Sequence, residues 1–145
     1  MTDIPAAFAK LFEITRPGGR VAILDTDYDS LVLYSEDPAR QARVLEAWDA
    51  HFVHRGLPRI LGPELRRAGF DVRSTTAIPI VNTGWNADEF SFHLVPMMSA
   101  FAAGSGSIPK QDAKDWLAEM RQLGSEGRYF FSLNRYLVVA DKAVG

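Results

Sequence analysis

From Ile4 to Thr15 apolar residues recur at helical spacing, with Ala7, Phe8, Leu11 and Phe12 on one stripe, until Pro17-Gly18-Gly19 stops the run. Val21-Ala22-Ile23-Leu24 follows at once. Four consecutive apolar residues suit a strand covered on both faces, as parallel strands flanked by helices are. The polar stretch Asp25-Thr26-Asp27-Tyr28-Asp29-Ser30 then leaves the strand at its C-terminal end, which in an open α/β sheet faces the ligand crevice.

Asp37-Pro38 sets a capping carboxylate ahead of a proline at the first helical position, and Val44, Leu45, Trp48 and Phe52 form the apolar stripe that follows. A second helix, Leu57 to Ala68, turns Ile60, Leu61 and Leu65 inward and ends at Gly69. Phe70 to Val81 reads as an imperfectly alternating strand, which Pro79 places at the edge of a sheet. Beyond the turn residues Asn82-Thr83-Gly84-Trp85-Asn86, Glu89 to Ala103 is apolar enough for a buried helix that Pro96 starts or kinks. Gly104 to Ser107 is a flexible connection. Pro109 to Leu123 carries Ala113, Trp116, Leu117, Met120 and Leu123 on one face and ends at Gly124. Its charges, Lys110, Asp112, Lys114, Asp115 and Glu119, read as solvated surface. Tyr129 to Ala140 is a long β segment. The order helix, strand, two helices, strand, two helices, strand is that of an α/β chain, read as a single domain over residues 1–145.

With 47% hydrophobic and 23% charged residues, the chain has enough apolar material for one core. A net charge of −2 without a Lys/Arg run gives no electrostatic footprint for nucleic acid. The N-terminus lacks the basic and apolar succession of a signal peptide, and no apolar run reaches the roughly 20 residues that span a bilayer. The expectation is a cytoplasmic protein with neither a nucleic acid nor a membrane as partner. The absence of cysteine excludes disulfides, thiolate metal sites and cysteine nucleophiles.

Arg16-Pro17-Gly18-Gly19-Arg20-Val21-Ala22-Ile23-Leu24-Asp25 resembles the stretch that leads into the fifth strand of class I S-adenosylmethionine-dependent methyltransferases. Asp25-Thr26-Asp27-Tyr28 after that strand, Arg66-Arg67-Ala68-Gly69-Phe70 before the next, and Tyr129-Phe130-Phe131-Ser132-Leu133 with Arg135-Tyr136-Leu137 in the last are similar to motifs of one branch of that family. Its members methylate small metabolites such as quinone precursors. The resemblance covers nearly the whole chain. It implies a partial Rossmann-like methyltransferase fold whose three strands correspond to the fifth, sixth and seventh, the last inserted antiparallel between the other two. It also implies a chain that starts just beyond the fourth strand, so that the cofactor-binding half is absent. The sequence has no G-x-G-x-G, and Gly104-Ser105-Gly106 follows a helix where a cofactor turn follows a strand.

The function implied is that of the C-terminal, acceptor-side part of a methyltransferase for a small molecule, using S-adenosylmethionine only when another chain supplies the missing half. Expected partners are that complementary half, or a second copy joined through the unpaired edge of the Val21–Leu24 strand. A non-catalytic binding or dimerisation module derived from a methyltransferase is the alternative. Asp27 and Tyr28 are candidates for the acceptor pocket, whereas Asp25 and Asp29 suit local caps of a turn or helix. Trp85, Phe90, Phe92, Met97 and Met98 suit an apolar pocket wall or ordinary core. His93 suits a base near neutral pH or a structural histidine, and His51 and His54 suit a solvated helix end. Of Arg135 and Tyr136, strand alternation lets only one face the pocket, and Arg135 is the expected pocket residue. No residue is expected to bind a cofactor or a metal.

Overall fold

The computed structural model describes residues 3–144. Its elements are α1 (Ile4–Ile14), β1 (Arg20–Leu33), α2 (Pro38–Asp49), α3 (Leu57–Arg67), β2 (Asp71–Asn82), α4 (Phe90–Ser105), α5 (Lys110–Ser125) and β3 (Phe131–Asp141). The strands form one antiparallel sheet in the order β1-β3-β2. The last strand is therefore central, and the strand containing Pro79 lies at an edge, as its sequence implies. The chain divides into two compact units, one of Met1–Ser30, Val53–Pro79 and Leu133–Gly145, the other of Leu31–Phe52 and Ile80–Ser132. Among the described residues no helix is long and apolar enough to cross a membrane.

In the first unit, Ile4 and Phe8 of α1 and Leu61 and Leu65 of α3 form a core with Phe70, Val138 and Ala140. Asp3 caps α1 by accepting from the Ala6 N–H at 2.9 Å, and the opposite end is closed from the last strand. There Lys142 donates to the Phe12 and Thr15 carbonyls at 2.7 and 2.8 Å while its ammonium lies 4.1 Å from the centre of the Phe12 ring. Gly18 takes a left-handed φ of 70°, and a Cβ on Gly19 would meet the Arg16 carbonyl at 2.7 Å. Both glycines of the crossover are thus sterically required. Helix α3 closes on Gly69 with a Schellman motif, the Phe70 N–H reaching the Leu65 carbonyl at 2.9 Å.

Strand β1 departs from its expected double cover. Val21 and Ile23 are partly buried against this core, but Ala22 is exposed and Leu24 remains 42% accessible, because a single layer of helices covers the strand. Ile60 is likewise exposed, one position off the buried stripe of Leu61 and Leu65. At the end of the sheet Asp141 on the central strand accepts from Arg20 of β1 at 2.7 Å and from Arg73 of β2 at 2.8 Å. These two guanidiniums hold its carboxyl well below the usual carboxylate range.

In the second unit α2, α4 and α5 pack on one another around Trp48, Leu94, Val95, Met98, Trp116 and Met120, all buried. Helix α4 starts at Phe90 and not at Pro96, which lies inside it; the missing Pro96 N–H forfeits one bond, and buried Val95 and Met98 hold the turn on both sides. Gly124 does not end α5. The helix continues to Ser125 and closes with a second Schellman motif at Gly127, which has φ of 68° and brings the Arg128 N–H to the Leu123 carbonyl at 2.9 Å.

Gly124 is instead the place where α5 makes room for Trp85, since a Cβ there would lie 2.3 Å from the Trp85 Cβ. Glu119 is also not surface. Its side chain is 10% exposed and accepts from Ser35, the Glu36 N–H and Arg40. Burial pushes its pKa up, and these hydrogen bonds outweigh that and leave it below the usual value.

Gly124→Ala is expected to cost about 2 kcal/mol or more in urea unfolding, because the clash falls on the root of the Trp85 side chain, which cannot rotate away. Glu119 binds its proton less readily folded than unfolded. It therefore contributes stability that is complete above its ordinary pKa of 4.5 and is lost as pH falls through the lower folded value. Glu119→Gln should accordingly flatten the acid limb of the stability curve below about pH 4.5, read by urea melts at stepped pH.

Candidate functional site

The polar stretch after Leu24 is not a loop beyond the sheet but part of it. The 14 residues of β1 lie beside the 11 of β3, and the surplus is absorbed where side chains replace ladder partners. The Ser30 hydroxyl donates to the Asp27 carbonyl at 2.6 Å and accepts the Asn134 N–H of β3 at 2.9 Å. The Asp27 carboxylate accepts from the Asp29 N–H at 3.2 Å, closing an Asx turn within the bulge. Asp25 accepts from the N–H of the adjacent Thr26 at 2.8 Å.

The bulge leaves the Asp27 residue only 5% exposed. A buried carboxylate needs a cation, and α3 supplies it. Arg59, in the first turn of α3, reaches both Asp27 oxygens at 3.2 Å and an Asp29 oxygen at 2.9 Å. Arg55 forms a second ion pair with Asp29 and donates to the Tyr28 carbonyl at 3.5 Å. Asp27 and Asp29 raise the Arg59 pKa further above its ordinary value, so the guanidinium stays charged at any accessible pH.

A cavity of about 340 Å³ opens on this pair, with Asp27, Arg59, Gly62, Arg66, Thr75 and Tyr136 in its lining. Carboxylate, guanidinium, phenol and hydroxyl converge on one space, which suits a small polar ligand held by directed hydrogen bonds. Tyr136, not Arg135, lines it. Arg135 keeps its Nε buried without a hydrogen-bond partner, and its charge opposes the effect of burial and of Asp25, which together raise the Tyr28 phenol. Asp27, Tyr28 and Arg135 all belong to the first unit, but only Asp27 opens on this cavity.

The remaining sequence candidates lie in the second unit. Trp85 packs against Phe92 and edge-on to Tyr129, with ring centres 5.5 and 5.3 Å apart. Burial pushes the Tyr129 phenol up to about 12, and its hydroxyl is buried without a hydrogen-bond partner among the described residues. Phe90 is 38% exposed beside Phe131, and Met97 is 52% exposed. His93 is exposed, with Nε2 2.9 Å from the Ala87 carbonyl. His51 is exposed but stacks on Trp48 at 4.4 Å, so it is a packed ring and not merely a solvated charge. Among the described residues no group of three or more His, Asp or Glu side chains is arranged to hold a metal ion.

Sequence reasoning missed Arg59 and Arg66. The available signal was electrostatic: Asp25, Asp27 and Asp29 alternate along one strand, and the guanidiniums that balance two of them stand four residues apart at Arg55 and Arg59. No family model matches the sequence, and no curated protein matches it.

The Asp27–Arg59 pair yields a direct test. Arg59→Ala is expected to lower the denaturation midpoint clearly, because it strips a buried carboxylate of its cation, whereas the same change in an Asp27→Asn background should cost much less. Equal losses in both backgrounds, measured by a double-mutant cycle in urea, would show that the pair does not hold the bulge.

Proposed function

We propose that this chain is the acceptor-side part of an S-adenosylmethionine-dependent methyltransferase acting on a small molecule in the cytoplasm. The observation that carries the reading is the sheet order β1-β3-β2 with an antiparallel last strand at its centre. The fifth, seventh and sixth strands of that fold have this arrangement, and a Pro-Gly-Gly turn opens the first of the three here. In a site of this kind catalysis comes mainly from holding the acceptor atom in line with the donor sulfonium. The part of this chain is to hold the acceptor. Asp27 accepts a hydrogen bond from an acceptor hydroxyl, Tyr136 and Thr75 orient it, and Arg59 keeps the Asp27 carboxylate in place.

The residues present do not fit the donor itself. Gly104 and Gly106 lie at the end of α4, where Gly106 is a left-handed helix cap, and neither stands in a strand-to-helix turn. Donor binding is therefore assigned to polypeptide outside these 145 residues. A second reading, a binding or dimerisation module, is favoured by one specific feature. Among the described residues the outer edge of β1 is free of strand partners, and Leu24 of that strand is exposed. A complementary half or a second copy would pair there.

Titration calorimetry of the chain with S-adenosylhomocysteine, with the mass in solution measured on the same sample, separates the readings. The expected result is no binding by these residues alone and micromolar binding once a polypeptide carrying the Gly-rich half is joined or added. Binding by the chain alone would overturn the assignment of the donor to other polypeptide. No binding by the completed assembly would overturn methyl transfer, and a stable dimer without donor affinity would favour the module.

A further inference from the structure

Two guanidiniums and one carboxylate line the cavity beside α3. Arg59 is engaged by Asp27 and Asp29, and Arg55 pairs with Asp29 outside the lining. Arg66 is the second guanidinium of the lining, beside Arg59, and among the described residues no carboxylate lies within ion-pair distance of it. Its neighbour Arg67 is occupied with Glu64 at 2.7 Å. Arg66 Nη1 would stand 3.4 Å from a Cβ on Gly62, one turn earlier, so the guanidinium lies along the bare helix backbone. It is held at the wall of the cavity while its donors stay unclaimed by a protein acid.

We infer that this cavity binds a small carboxylic acid that also bears a hydroxyl group. The carboxylate pairs with Arg66, whose planar fork matches two carboxylate oxygens. The hydroxyl donates to Asp27 Oδ2, which accepts only from Arg59 at 3.2 Å and retains acceptor capacity. Tyr136, Pro58 and Pro63 add rings to the same lining, and about 340 Å³ accommodates one aromatic ring with its substituents. The inference rests on the cavity and not on methyl transfer. Its test uses no methyl donor, so the two proposals fail separately.

The test is titration of the full chain with para-hydroxyphenylacetate, followed by calorimetry and by amide chemical shifts. The neutral amide of the same acid and phenylacetate, which lacks the hydroxyl, serve as comparison ligands. Saturable binding with shifts centred on α3 and the bulge of β1 is expected. Binding should be about tenfold weaker or worse for the amide and for Arg66→Gln, and several-fold weaker for phenylacetate. Arg66 is exposed and unpaired, so the variant should keep its circular dichroism spectrum, and Arg121→Gln, on α5, should bind as the wild type does. Absence of saturable binding, equal affinity for acid and amide, or an affinity that Arg66→Gln leaves unchanged would overturn the anionic site. Inorganic phosphate competing as strongly as the hydroxy acid would overturn the two-ended ligand.

Discussion

Among the described residues strand β3 is the only partner of both β1 and β2, which do not pair with each other. Every ladder bond of the sheet is therefore made with residues 131–141, near the end of the sequence. A β1 pairing closes a span of about a hundred residues, so the entropy of loop closure opposes it until the helices have condensed. Side chains on the last strand reinforce the backbone ladder. Asp141 bridges Arg20 and Arg73 on the two outer strands, and the adjacent Lys142 caps α1. One short run of residues thus ties the first helix and all three strands of the first unit together.

The bulge in β1 is the price of fitting a longer strand beside that central one, and it creates the chemistry of the site. In a regular strand, residues alternate between faces and each N–H and C=O meets the neighbouring strand. Between Asp27 and Ser30 side chains take over those duties, and the Asp27 carboxylate becomes buried. Burial of a charge is tolerated only where a partner is fixed, which explains why Arg59 stands in the first turn of α3. The cavity follows from this arrangement, since the pair forms one of its walls.

Much of the fold was legible because local chemistry and tertiary structure agree. Pro17-Gly18-Gly19, Asp37-Pro38 and Gly69 each mark a boundary that the backbone geometry requires. The errors arose where a residue serves a distant contact. Gly124 has the look of a helix terminator, but its missing Cβ accommodates Trp85, and only Gly127 adopts the left-handed cap. Glu119 has the spacing of a surface charge, yet it answers the polar groups of Ser35, Glu36 and Arg40, more than seventy positions earlier. Asp27 was legible as a site residue by its place after an apolar strand. Arg59 and Arg66 were not, because nothing in helical periodicity separates an exposed arginine from one lining a cavity.

Strand β1 carries two features with different consequences. Val21-Ala22-Ile23-Leu24 is apolar on both faces, and the described residues cover one of them, leaving Leu24 42% accessible beside an unpaired edge. At about 25 cal/mol per Å² of apolar surface, covering such positions favours any chain that adds a strand there. The bulge lies later in the same strand, and its ion pairs close entirely on residues of this chain, Asp27 and Asp29 with Arg55 and Arg59. Among the described residues the edge thus carries no strand, while the cavity is organised by side chains of this chain. The proposed recognition of a small acid draws on residues of the first unit alone, whereas the proposed methyl transfer would need the polypeptide that the free edge of β1 is proposed to recruit.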